Sequence, residues 1–189
     1  MVWTEAEQAI VDYLAAEPGR ARQAGPLSPG GWAGFTPSGS AGADPATVQF
    51  RKSRTFPACQ LHSVTFSTQA GGPTRALFRA WREPDGSWLV VLIGGGSGGG
   101  PCRSRPWVNF TAQWNDGLFA AGGEVIGHGA QQAHLVRLRF ADGTSIEDRV
   151  ENGVVLFFVS PGVAFPARVD ILDNAGESLA SYDADEFDP

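Results

Sequence analysis

The seven residues Gly94 to Gly100, "GGGSGGG", contain two patterns that could do chemistry. Gly95-Gly96-Ser97-Gly98-Gly99 fits G-x-S-x-G, a strand–turn–helix elbow that presents a nucleophilic serine. Gly94, Gly96 and Gly99 fit G-x-G-x-x-G, in which glycines let the backbone approach a pyrophosphate at a helix start. Both mechanisms need a strand before the turn and a helix directly after it. Ser87 to Ile93 is a short apolar run with β-branched and aromatic residues and meets the first condition. Pro101-Cys102-Arg103-Ser104-Arg105-Pro106 has no helical apolar period and fails the second. The run is expected to be a loop with positive φ at several glycines. A serine hydrolase using Ser97 is therefore the third choice among functions.

Other reactive residue types are spread thinly. His128 and His134 could meet across a bend and hold a metal with Glu124 or Asp142, but the spacing matches no known ligand set. Asp142, Glu147, Asp148, Glu151, Asp170 and Asp173 could supply a carboxylate pair for glycoside hydrolysis. Asp142 and Asp173 lie in D-G and D-N-A-G turns, where Asp caps its own turn, and Glu147-Asp148-Arg149 reads as a solvated strand face. Trp81, Trp88, Trp107 and Trp114 fall on expected strands, where they either fill a core or stack on a sugar or peptide. Cys59 and Cys102 belong to no C-x-x-C pair. They either form a disulfide or remain two buried thiols. No catalytic, cofactor-binding or metal-ligating residue is assigned, and no cofactor is expected.

The elements that would position these residues are mostly strands. One helix is expected from Thr4 to Glu17: Thr4 and Glu7 form a capping box, and Ala6, Ala9, Ile10, Tyr13 and Leu14 make an apolar stripe. Pro18-Gly19 ends it, closing a first segment at residue 18. Residues 19–45, rich in Gly, Pro and Ser, read as a linker. A first β section, 46–122, has strands at 47–52, 60–68, 75–83, 87–93, 107–114 and 118–120, and holds the glycine run and both cysteines. A second, 123–182, alternates clearly: Val136, Leu138 and Phe140 share one face, and Asn152-Gly153 signals a type I′ hairpin. Residues 183–189 form an acidic tail. Short strands separated by turn signals every roughly 8–14 residues give an all-β, β-sandwich-like fold, Ig-like or related, with one short N-terminal helix.

Charge narrows the partners. The chain carries 14 cations against 20 anions, for a net −6, and Lys52 is its only lysine, so a phosphate-binding surface and a nucleic-acid partner are not expected. No stretch is long and apolar enough to span a membrane. Self-association through the N-terminal helix is a possible contact. The start, "MVWTEAEQAIVDYLAAE", lacks the basic head and apolar stretch of a signal peptide, which points to the cytoplasm if Met1 is the native start.

The run "VRLRFADGTSIEDRVENGVVLFFVSPGVAFPARVDILDNAGESL", residues 136–179, stands downstream of "GGGSGGGPC" and Cys59. Over about residues 55–182 it resembles actinobacterial exported or membrane-anchored two-cysteine β-rich proteins of unknown function. The resemblance implies an extracytoplasmic, envelope-facing β-sandwich with a Cys59–Cys102 disulfide, and no reaction. The expected function is a non-enzymatic, envelope-associated binding or sensing module. The second choice is a structural subunit of a surface or virus-like assembly.

Overall fold

The capping box forms as expected and starts the chain's first element. The computed structural model describes residues 2–15, 43–68, 73–96, 103–115, 118–159 and 166–183. The Thr4 backbone N–H donates to Glu7 Oε2 at 2.9 Å, and the Glu7 N–H donates to Thr4 Oγ1 at 3.3 Å. Helix α1 (Glu5–Ala15) follows. The fold is all-β and sandwich-like apart from this helix, with three antiparallel sheets among the described residues.

The chain divides into two compact units, Met1–Gly98 and Gly99–Pro189. In the first, β1 (Gln49–Phe56), β2 (Cys59–Ser67), β3 (Pro73–Arg82) and β4 (Trp88–Gly96) form a sheet in simple sequence order. Helix α1 covers one face. Its Ala6, Ile10, Val11 and Leu14 are buried with Val64, Phe66, Phe78, Ala80 and Val90. Tyr13 meets Phe78 edge-on, with ring centroids 5.7 Å apart. Full burial of one such aliphatic or aromatic side chain is worth about 1.5–3 kcal/mol, so the stripe explains why this short helix docks. The apolar stripe of α1 thus packs within its own unit.

Two expectations about this sheet are corrected. Strand β1 does not stop at Lys52 but runs to Phe56, past an irregularity in register between Phe50 and Lys52. Gly94, Gly95 and Gly96 are not a loop with positive φ. They extend β4 and pair with Leu77, Ala76 and Arg75. A register shift between Leu77 and Phe78 lets the strand continue after its apolar run. A Cβ on Gly95 would strike the Arg75 carbonyl oxygen and stand 2.9 Å from Ala76 Cα. Close approach of two backbones explains a glycine there.

The second unit contains β5 (Trp107–Asn115), β6 (Leu118–Ile126), β7 (Leu135–Phe140), β8 (Ser145–Arg149), β9 (Val154–Val159), β10 (Pro166–Leu172) and β11 (Ser178–Asp183). They form one sheet ordered β5-β6-β9 and another ordered β11-β10-β7-β8. The two share a core that includes Val108, Phe119, Val136, Leu138, Phe157, Val169, Ile171 and Tyr182. Alternation along β7 sends Val136, Leu138 and Phe140 inward, as expected. Asn152 at φ 52° and Gly153 at φ 74° make the expected hairpin turn. The expected boundary between residues 122 and 123 falls inside β6, and the units divide within the glycine run instead. The periodicity misleads there because β6 is interrupted by Gly122 and Gly123, although β5 and β9 flank it throughout that stretch.

Candidate functional site

Helix α1 brings two sets of polar residues onto the first sheet. The first set is Glu7, Ser53 and His62. Register places Ser53 directly opposite His62, and the Ser53 hydroxyl lies 2.9 Å from His62 Nδ1. Glu7 Oε1 lies 3.4 Å from the same hydroxyl, while Oε2 completes the capping box. His62 is 1% exposed, with Phe50 edge-on at 5.7 Å, and its Nε2 is buried without a hydrogen-bond partner. Burial pushes the imidazole down to about 4, against the weaker opposing pull of Glu7.

Serine, histidine and a carboxylate are the types used in nucleophilic catalysis, but their order is wrong for it. Here the serine, not the histidine, is the middle member. The Ser53 hydroxyl bridges the Glu7 carboxylate and the imidazole, and the His62 tautomer sets which of the two takes its single proton. In the Nδ1–H tautomer the nitrogen facing Ser53 is a donor and cannot act as base toward it. The free nitrogen, Nε2, has no partner to orient the ring or to stabilise an imidazolium. The arrangement fixes a neutral histidine and ties α1 to β1 and β2.

The second set lines a groove of about 610 Å³ where α1 meets β4. Glu5, Gln8 and Asp12 stand along one exposed stripe of the helix, with Trp3 and Trp88 beside them. Trp88 Nε1 donates to Glu5 Oε2 at 3.4 Å, and Gln8 Nε2 donates to Asp12 Oδ1 at 2.8 Å. The tryptophans are half-buried. Arg82 Nη2 is 3.9 Å from Glu5, with both side chains mostly exposed, a pair of small energetic weight.

The residues singled out by sequence do not converge. Ser97, and with it the centre of the G-x-S-x-G match, lies outside the described residues. Gly94 and Gly96, which should open a phosphate loop, are instead paired strand residues. His128 and His134 are exposed, and no group of three His, Cys, Asp or Glu among the described residues could hold a metal. Asp142 accepts from Thr144 N and Oγ1 at 2.9 and 2.7 Å, and Asp173 accepts from the N–H groups of Ala175 and Glu177. Glu147 pairs with Arg137 at 2.5 Å. Glu151 sits in an isolated bridge with Val154. Burial raises the Asp170 carboxyl, but hydrogen bonds from Ser181 and Arg139 and the charges of Arg139 and Arg168 outweigh it and hold it below the usual range. Asp148 corrects the expectation of a solvated face: it is 8% exposed and accepts from the Leu156 N–H at 2.6 Å, bridging β8 and β9.

Of the four tryptophans on strands, Trp107 is core, stacked on Tyr182 at 4.0 Å. Trp81 lies half-buried with Arg79 over its ring at 4.6 Å. Trp88 flanks the groove, and the Trp114 side chain lies outside the described residues. Cys59 is a buried free thiol, pushed up by burial against the influence of nearby Arg79, so no disulfide forms at Cys59 in this structure. Its expected partner, Cys102, lies outside the described residues.

Neither polar set was foreseen from sequence. Ser53 was expected beyond the end of β1, so no pairing with His62 followed. Glu5, Gln8 and Asp12 read only as the polar side of an amphipathic helix. The signal for the groove was Trp88 on a strand, but its neighbours across the fold had no sequence pattern. Comparison with family models, curated proteins and solved structures finds no match to this chain.

Proposed function

We propose that the chain is a non-enzymatic binding module and that its ligand site is the groove between α1 and β4. The observation that carries this reading is the pair Trp3 and Trp88 beside a stripe of exposed polar side chains. Tryptophan offers a flat apolar surface with little side-chain entropy to lose, and the carboxylates and amide beside it can orient a ligand. The Glu7–Ser53–His62 order supports binding over hydrolysis, because the carboxylate contacts the serine and not the histidine, which leaves the imidazole Nε2 with no carboxylate to orient it.

We place the module at the cell envelope, on the resemblance of about residues 55–182 to exported or membrane-anchored two-cysteine proteins. Cleavage by protease added to intact cells of the source organism checks that placement. The binding reading is tested by two-dimensional NMR of the indole N–H groups. Trp3 and Trp88 signals, assigned through single Trp→Phe variants, should move on titration with some member of a panel of small cations, sugars and peptides. If no member moves them, the groove is not a ligand site.

A further inference from the structure

We infer that the groove selects an organic cation of the quaternary-ammonium class, a choice that rests on its being a ligand site at all. Two features of the lining decide this. Trp3 and Trp88 provide indole rings, the side chains whose faces attract cations most strongly. Glu5 and Asp12 add two carboxylates, and among the described residues no Lys, Arg or His lines the groove. Both acids lie on the helix stripe that also carries Gln8, separated by about two turns. Ala9, a small side chain, also lines the groove.

The hydrogen bonds sharpen the selection. Trp88 Nε1 engages Glu5, which orients that carboxylate at the edge of the ring. Gln8 donates to one oxygen of Asp12, leaving acceptor capacity on the other. A quaternary ammonium group has no N–H donor, so it gains from ring faces and diffuse negative charge rather than from directed hydrogen bonds. A neutral ligand of the same shape would gain the apolar contact but not the charge. An anion would be repelled by both acids. Arg82, 3.9 Å from Glu5, is exposed and outside the lining, so a ligand cation can displace it from that loose pair.

The test compares choline with its uncharged carbon isostere, 3,3-dimethylbutan-1-ol, on the full chain. Choline should shift the Trp3 and Trp88 indole signals saturably, and the isostere should bind at least roughly tenfold more weakly, as expected for a cation over an aromatic face. Asp12→Asn, an exposed substitution that keeps the shape, should weaken choline and leave the isostere unchanged. Trp88→Phe should weaken both, with circular dichroism confirming that the helix and sheets remain. Equal binding of choline and isostere, or indole shifts caused by a neutral disaccharide and not by choline, would overturn the cation assignment while leaving a binding groove. Silence to every probe would remove the groove itself.

Discussion

His62 is the residue whose protonation the fold opposes most plainly. Its value in the folded chain, about 4, lies below the ordinary 6.5 because burial disfavours the imidazolium. Between those values the unfolded chain binds a proton that the folded chain refuses. This contribution to stability is therefore complete above pH 6.5 and is lost as the pH falls toward 4, by about 3 kcal/mol in all. Urea unfolding across that window should show the loss. In His62→Asn, which keeps a polar atom near Ser53 but cannot titrate, the slope should flatten. An unchanged slope would mean that another group carries the pH dependence. Gly95 makes a second prediction at this scale. A methyl group there meets the Arg75 backbone, which cannot rotate away as a side chain would. Gly95→Ala should cost at least about 2 kcal/mol, within the range seen for overpacking. A denaturation midpoint equal to the parent's would refute the close approach.

At the scale of elements, α1 depends on packing more than on its cap. Isolated helices of this length are marginal in water. Leu14, 2% exposed, and Ile10, at 0%, hold it to the sheet. Leu14→Ala should destabilise the chain by about 2–5 kcal/mol, whereas Thr4→Ala, which removes half of the capping box, should cost about 1 kcal/mol. Chemical denaturation of the two variants ranks them, and a larger loss in Thr4→Ala would place the helix's stability in its start instead. Leu14→Ala should also raise amide exchange along α1 before it affects β7 or β10, because those strands belong to a different core.

At the scale of the molecule, two cores are built from two separate stretches of chain. The residues of one buried cluster all fall before Gly98, and those of the other all fall after Gly99. Within the second unit, the Tyr182 hydroxyl accepts from the Val108 N–H at 3.0 Å, and Asp148 bridges β8 to β9, so its two sheets are joined by buried polar links as well as apolar contact. Residues 99–189 expressed alone should therefore fold cooperatively, with a β-type far-ultraviolet spectrum and protected amides at Leu138 and Ile171. A fragment without protected amides would show that the sandwich needs the first unit.

Local signals decided the elements of this protein. Thr4 with Glu7, the apolar stripe of α1, the alternation of β7 and the Asn152-Gly153 turn are each written in a few adjacent residues, because capping, periodicity and turn chemistry act over a few residues. The all-β, sandwich-like class followed from them. Tertiary structure decided everything that depends on register or on which faces meet. Gly94 to Gly96 look like a flexible loop until β3 lies beside them, and β6 looks divided at Gly122 until β5 and β9 flank it. Ser53, His62 and Glu7 meet only because one strand pairs past its apparent end and one helix lies across both. The groove likewise joins Trp3 to Trp88, residues far apart in sequence whose proximity is set by helix docking alone.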